Sequence, residues 1–275
     1  MARGLRNKGN GGEDLRIVTD GKAAYDKAVL ALGMFDGVHI GHQVLLERAR
    51  VLAKRSGVPL VACTFADHPL SLIAPDRCPP MLTTFDERAK LLEEMGVDML
   101  FAQPFTEEMR QMPPEVYVGE LMRHFHPVDV VCGYNHTFGK DGAGTSAFLA
   151  ALGDALGFRT QVVPQVTLDG ADVSSSAIRA ALSSGDAAKA ARLLGRPYQM
   201  EGQLISTDGA PASFMVSESR KQQPAPGKYR CLLTCCDDGK TWPCVVRIAD
   251  GQPWKVKGVK ANIPQAALLR FLAMG

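Results

Sequence analysis

The residues best equipped for chemistry form one run, Gly33-Met34-Phe35-Asp36-Gly37-Val38-His39-Ile40-Gly41-His42. It follows a short apolar segment, Ala28–Leu32, and opens a stretch with helical spacing, Gly41–Ser56 (Val44, Leu45, Ala49, Leu52). Glycines let a backbone approach a phosphate closely. A helix N-terminus adds unpaired N–H groups and the positive end of a dipole. His39 and His42 are three residues apart, so both project to one side at the helix start. Two imidazoles there can donate hydrogen bonds to a triphosphate, polarising its α-phosphate and easing departure of pyrophosphate. A tight turn with incidental histidines is the plainer alternative. A full His-x-Gly-His at a strand-to-helix junction is specific enough to favour the phosphate.

A second run, Ser174-Ser175-Ser176-Ala177-Ile178-Arg179, opens a later helix. Serine hydroxyls cap helix starts, and capping alone would explain them. Arg179 lies one turn in, where its fork can bind a phosphate bidentately. Together with the His-x-Gly-His turn, the phosphate reading prevails. His68 and His136 stand alone beside a proline or in a loop, the usual setting of an ordinary hydrogen-bonded histidine.

These residues need elements to hold them. Strand-like apolar runs occur at Ala28–Leu32, Val58–Thr64, Val97–Ala102, Val128–Cys132 and Phe158–Val163. Between them lie helical patterns. One begins at Thr84, with Glu87 completing a capping-box signature, and runs to Met95. Others run from Pro113-Pro114 to about Phe125 and over Thr145–Leu156. Ser174 starts another, and Asp186–Leu194 one closed by Gly195. Near-continuous apolar strands alternating with helices predict an α/β fold, a Rossmann-like parallel sheet covered on both faces. Ligands of such sheets sit beyond the carboxyl ends of the strands, where the motifs fall. After Arg196-Pro197 the texture changes to short strands at Tyr198–Ile205, Tyr229–Cys235, Cys244–Ile248 and Trp254–Val256, with turn signals at Asp208-Gly209 and Asp238-Gly239. The expected domains are residues 1–195 and a small, mostly β, barrel-like domain over 196–275.

Hydrophobic residues make up 46 % and charged residues 22 % of the chain, the ordinary range for a globular protein able to bury a core. A formal net charge of +2 gives no argument for nucleic acid or an anionic membrane surface as partner. No run of about 18 apolar residues is long enough to span a membrane. Met1 to Asp14 carries charges and glycines without a following apolar core, so it reads as a loose arm rather than a secretory signal, and a cytoplasmic location is expected. Seven cysteines, an odd number, are expected as reduced thiols. Cys231, Cys235, Cys236 and Cys244 lie close together but lack paired Cys-x-x-Cys knuckles, which disfavours zinc. Cys63 and Cys132, in apolar runs, read as core residues.

The two phosphate-facing motifs resemble those of the nucleotidyltransferase superfamily. Thr64-Phe65-Ala66-Asp67-His68-Pro69 and Gly133-Tyr134-Asn135-His136-Thr137-Phe138-Gly139-Lys140 narrow the resemblance to the bacterial bifunctional riboflavin kinase/FAD synthetase family, over residues 25 to 205. That resemblance implies an enzyme that joins FMN to the AMP half of Mg-ATP, giving FAD and pyrophosphate. It implies that Gly33, Phe35, His39, Gly41 and His42 hold ATP, and that Ser175, Ser176 and Arg179 close on its phosphates. Asn135, Phe138 and Gly139 would lie near the flavin phosphate or ring, and Phe65, His68 and Pro69 near the flavin pocket. His39, His42, Arg179 and Asn135 are the expected catalytic set. Mg²⁺ would travel with ATP and keep several waters, with no protein metal cage. The sequence departs from the family at Asp67, where proline is common, and at His136, where an aromatic residue is common.

In the resembling family a C-terminal β-barrel phosphorylates riboflavin, with a Gly-x-Pro-Thr-Ala-Asn run holding Mg-ATP. The nearest run here is Gly209-Ala210-Pro211-Ala212-Ser213-Phe214. Ala212 and Phe214 replace the threonine and asparagine, and neither offers the oxygen that a hard cation needs. A degenerate kinase domain is therefore expected, ending in a short apolar segment, Gln265–Met274. Two rivals stand beside the FAD synthetase reading: an adenylyl- or cytidylyltransferase for another phosphorylated acceptor, and a non-catalytic flavin- or nucleotide-binding protein.

Overall fold

The structure, a computed structural model, describes residues 14–22, 25–205, 212–218, 220–259 and 265–274. The expected N-terminal arm up to residue 13, the Asp208-Gly209 turn, Ala210 and Pro211 lie outside the described residues. The chain forms two compact units, Met1–Pro79 with Phe85–Val166, and Pro80–Thr84 with Thr167–Gly275.

The first unit is the predicted α/β fold. In chain order it contains β1 (Arg16–Val18), β2 (Ala28–Leu32), α1 (Ile40–Ser56), β3 (Leu60–Phe65), α2 (Leu70–Ile73), α3 (Phe85–Glu94), β4 (Met99–Gln103), α4 (Glu107–Gln111), α5 (Pro114–Phe125) and β5 (Pro127–Gly133). A two-strand hairpin, β6 (Thr137–Phe138) and β7 (Gly144–Thr145), then precedes α6 (Ser146–Leu156) and β8 (Arg159–Val163). The sheet order is β1-β4-β3-β2-β5-β8, every pairing parallel. All five residues of β2 are buried, as a central strand covered on both faces requires. One apolar layer packs Leu45, Leu46, Ala49 and Leu52 of α1 with Ala89 and Leu92 of α3. The opposite layer packs Val118, Leu121 and Phe125 of α5 with Leu149 of α6. The sequence predicts five strands, and the sixth, β1, is an edge strand of three residues of which two are exposed. A run of three residues is too short to read as a strand from the sequence.

The chain leaves β2 for neighbours β3 and β4 on one side and later adds β5 on the other. The strand order therefore reverses at β2, and the crevice beyond its carboxyl end is where such sheets bind ligands.

The second unit contains a small hairpin, β9 (Thr167–Leu168) and β10 (Ala171–Asp172), and two helices, α7 (Ser175–Ser183) and α8 (Ala187–Leu194). The strands β11 (Tyr198–Ile205), β12 (Ala212–Val216), β13 (Gly227–Cys235), β14 (Thr241–Ile248), β15 (Trp254–Lys257) and β16 (Gln265–Met274) follow. They close into an antiparallel barrel, β11-β12-β15-β14-β13-β16. The terminal apolar segment thus proves to be a ten-residue strand that closes the barrel between β11 and β13. Burial alternates along β13 and β14, one residue in and one out. Cys231, Cys235 and Cys244 are buried and Cys236 is exposed. Among the described residues no group of three or more His, Cys, Asp or Glu side chains is arranged to hold a metal ion.

Candidate active site

The turn after β2 is held by unusual backbone. Phe35 and Val38 have positive φ, 52° and 38°, and Gly37 a φ of 79°. Non-glycine residues adopt such angles at a cost of order 1–3 kcal/mol, and they cluster at functional sites. The Phe35 ring is wholly buried and packs edge-on against the His42 ring, centroids 5.3 Å apart. His39 is the N-cap of α1, and its Nδ1 accepts the His42 backbone N–H at 3.3 Å. The two imidazoles stack at 3.7 Å with only 14° between planes. The sequence-predicted pair therefore meets as one stacked unit on the helix start, with Gly41 between them. Burial first, then the charges of His39 and Arg88, hold the His42 pKa well below its ordinary value, so this ring is neutral at neutral pH. Its Nδ1 is buried without a hydrogen-bond partner.

Beside this turn, at the carboxyl ends of the strands, lies a cavity of about 240 Å³. Leu32, Gly33 and Met34 line it from β2, Cys63, Thr64 and Phe65 from β3, Gln103 from β4 and Tyr117 from α5. His68, Pro69, His136 and Thr137 complete it. Phe65, His68 and Pro69, the expected flavin-side residues, thus share one cavity with Gly33 of the expected nucleotide set. The His68 Nδ1 accepts the Leu70 N–H at 3.1 Å, which fixes its ring at the start of α2.

Phe138 is buried beside the cavity wall, stacked on His136 at 5.7 Å and tilted against Tyr117 at 5.4 Å. The Nε2 of His136 is buried and unpartnered, and burial pushes its pKa down to about 4. Asn135 is exposed in the loop that follows β5. Gly139 has a φ of 72°, and a Cβ there would lie 2.8 Å from the Pro114 backbone. Glycine is required at this position by the close approach of α5, whatever else it does.

Ser175, Ser176 and Arg179 belong to the second unit. Ser174 caps α7, its hydroxyl accepting the Ala177 N–H at 3.1 Å, which leaves the next two serines in the first turn. The half-buried Arg179 donates from Nε to the Pro80 carbonyl at 2.7 Å.

One residue escaped the sequence reading. Arg88, on α3, is only 1 % exposed. Its guanidinium donates to the carbonyls of Met34 at 3.0 Å, Phe65 at 3.0 Å and Ala66 at 2.8 Å. The hydroxyl of Thr64 donates to the same Met34 carbonyl at 3.2 Å. An arginine among the charged residues of an amphipathic helix looks like its solvated face, so only the fold exposes its role.

This site, at the switch point of a parallel sheet and opened by His-x-Gly-His, defines a nucleotidyltransferase-type α/β unit joined in the same chain to a β-barrel. The profile described as FAD synthetase matches residues 22–177, and the chain belongs to that family. A protein of Listeria monocytogenes, described as a bifunctional riboflavin kinase/FMN adenylyltransferase, is 33 % identical over 70 % of this chain and 61 % of its own length. One of Pseudomonas fluorescens with the same description is 33 % identical over 80 % of this chain and 72 % of its own. The match to the relative from Bacillus subtilis, 32 % identical, covers 66 % of this chain and 58 % of that protein. The chain thus spans about three fifths of the Listeria and Bacillus proteins it matches. A crystal structure of a macrolide-efflux protein from Streptococcus pneumoniae shares the fold, with a TM-score of 0.84 at 22 % identity, over 95 % of this chain and 91 % of that one. No helix among the described residues is long and apolar enough to cross a membrane.

Proposed function

We propose that the chain transfers AMP from Mg-ATP to FMN, giving FAD and pyrophosphate, and that its barrel does not phosphorylate riboflavin. The observation that carries this reading is the continuity of the His-x-Gly-His turn with the cavity: Gly33 and Met34 belong to both. A cavity of about 240 Å³, below the ~300–1,000 Å³ typical of whole-ligand pockets, suits one planar ring system with its phosphate directed out toward the turn.

In this reading an FMN phosphate oxygen attacks the α-phosphorus of ATP in line. The new P–O bond forms as the bond to pyrophosphate breaks, and pyrophosphate leaves with the bonding electrons. No protein nucleophile is required; the chain contributes placement and charge stabilisation. His39 and His42, stacked on the helix start, donate to the triphosphate together with backbone N–H groups of the turn. Phe35 braces His42 from below, and Gly33 and Gly41 leave room for the nucleotide. Ser175, Ser176 and Arg179 supply donors and a cation to the phosphates. Asn135 serves the flavin phosphate; Phe65, His68, Pro69, Phe138 and Gly139 form or support the ring pocket. Mg²⁺ enters as the ATP complex. Adenylyl transfer is assigned to residues 1–195 and the degenerate kinase region to 196–275.

The loss of kinase activity is supported by the barrel interior. Phe214 is fully buried, stacked on Trp254 at 5.8 Å, and Ala212 is 8 % exposed. Apolar side chains fill the positions where the resembling kinases carry oxygen ligands.

The test is an acceptor panel with α-phosphate-labelled ATP. Label appearing in FAD, with FMN preferred over other phosphorylated acceptors, is the expected result. Faster transfer to a different acceptor would overturn the assignment, and tight binding of ATP and FMN without transfer would make the chain a binding protein.

A further inference from the structure

We infer that Arg88 is a positioning residue that locks the nucleotide-side turn and the flavin-side strand end into one register, so that both substrates are placed by a single buried guanidinium. This rests on the adenylyltransferase reading above.

Burying a cation is expensive, and an aliphatic residue would fit the face of α3 that already buries Ala89 and Leu92. What the arginine gains in exchange is geometric. Its NH1 holds Met34, in the turn that leads to His39, and its NH2 holds Phe65 and Ala66, at the end of β3 and the mouth of the cavity. These carbonyls come from two segments, one leading into the His-x-Gly-His turn and one ending β3 at the cavity. A planar fork with several donors fixes them relative to one another; a single ammonium on a flexible stem does so poorly.

An arginine guanidinium keeps its proton even when buried. The three hydrogen bonds all go to neutral carbonyls, and Nε has no partner. Burial lowers the Arg88 pKa, while the carboxylates of Asp36 and Asp67 oppose that change from nearby. Asp67 stands where proline is common in the resembling family, so this chain carries an additional anion beside the guanidinium. The positive charge also reaches His42, helping to keep that ring neutral. Arg88 touches neither substrate in this account; it acts through the backbone of the segments that do.

The experiment uses the full chain as wild type, Arg88→Lys and Arg88→Met. Binding of Mg-α,β-methylene-ATP and of FMN is measured separately by calorimetry, with FAD formation and thermal melting alongside. Arg88→Lys keeps the charge but holds the carbonyls less well, so a folded chain with a lowered melting point is expected. Affinity for both ligands should still fall roughly tenfold or more, and turnover by about 10²-fold. Arg88→Met should in addition raise the titration midpoint of the His42 ring, read by NMR, because a nearby positive charge is gone. Wild-type binding constants for both ligands in folded Arg88→Lys would overturn the inference, as would a loss confined to one ligand. A wild-type chain that binds neither ligand would instead overturn the adenylyltransferase reading, and this inference with it.

Discussion

The turn after β2 and the strand β12 make an instructive pair, because the family resemblance points to phosphate chemistry at both places and they are built in opposite ways. The turn keeps strain and unpaired polarity: positive φ at Phe35 and Val38, and buried, unpartnered nitrogens at His42 and Arg88. Strand β12 keeps neither. Its Phe214 completes an aromatic cluster with Trp254 and Phe271, whose rings lie edge to face at 6.0 Å. Among the described residues every buried side-chain nitrogen or oxygen without a hydrogen-bond partner, those of His42, Arg88 and His136, lies in the first unit. Polar atoms kept dry and unsatisfied cost about 1–3 kcal/mol each. A region that retains them is built for something that arrives later; a region that has replaced them with packed rings is built to stay folded.

Putting oxygen back into the barrel has the largest expected effect. The double substitution Ala212→Thr with Phe214→Asn recreates the side chains of the resembling kinases. It should cost about 3–5 kcal/mol of stability through the lost aromatic packing, read by denaturant titration, and riboflavin should still give no FMN. A stable variant that phosphorylates riboflavin would show that the site was dormant rather than filled. In the first unit, His42→Ala should lower FAD turnover by about 10²–10³-fold with an unchanged melting profile. Unchanged turnover would remove the stacked histidines from the mechanism.

A smaller effect concerns pH. His42 and His136 have pKa values below the ordinary 6.5, that of His136 down to about 4. Below pH 6.5 the unfolded chain takes up protons that these folded rings refuse, so stability should fall as pH drops from 6.5 toward 4. His136→Phe should flatten that acid slope in melts recorded across the range. At neutral pH it should stabilise the protein by about 1 kcal/mol, because it removes a buried unpaired nitrogen. A slope that stays the same would mean that His136 is solvated.

Much of this was legible before the fold was known. The period of the apolar runs pointed to the parallel sheet, and Gly157 and Gly195, both with positive φ, end their helices as a glycine after an apolar stretch suggests. The His-x-Gly-His turn could be read because its chemistry is local, within one turn of helix. The contribution of Arg88 could not, since its partners lie 22 to 54 residues away and are backbone atoms, which leave no mark on side-chain spacing. Strand β16 was hidden for another reason: its outward Leu268 and Leu272 are as apolar as the buried Ala267, Leu269 and Phe271 beside them, so its alternating burial leaves no regular polar–apolar alternation in the sequence. Phe214 was read as a lost ligand, and only the barrel shows what replaced the lost chemistry.

The most direct test of the central claim is a chromatographic assay of the purified chain with Mg-ATP and either FMN or riboflavin. The account predicts FAD from FMN and no product from riboflavin. FMN or FAD appearing from riboflavin, or no FAD from FMN, would contradict it.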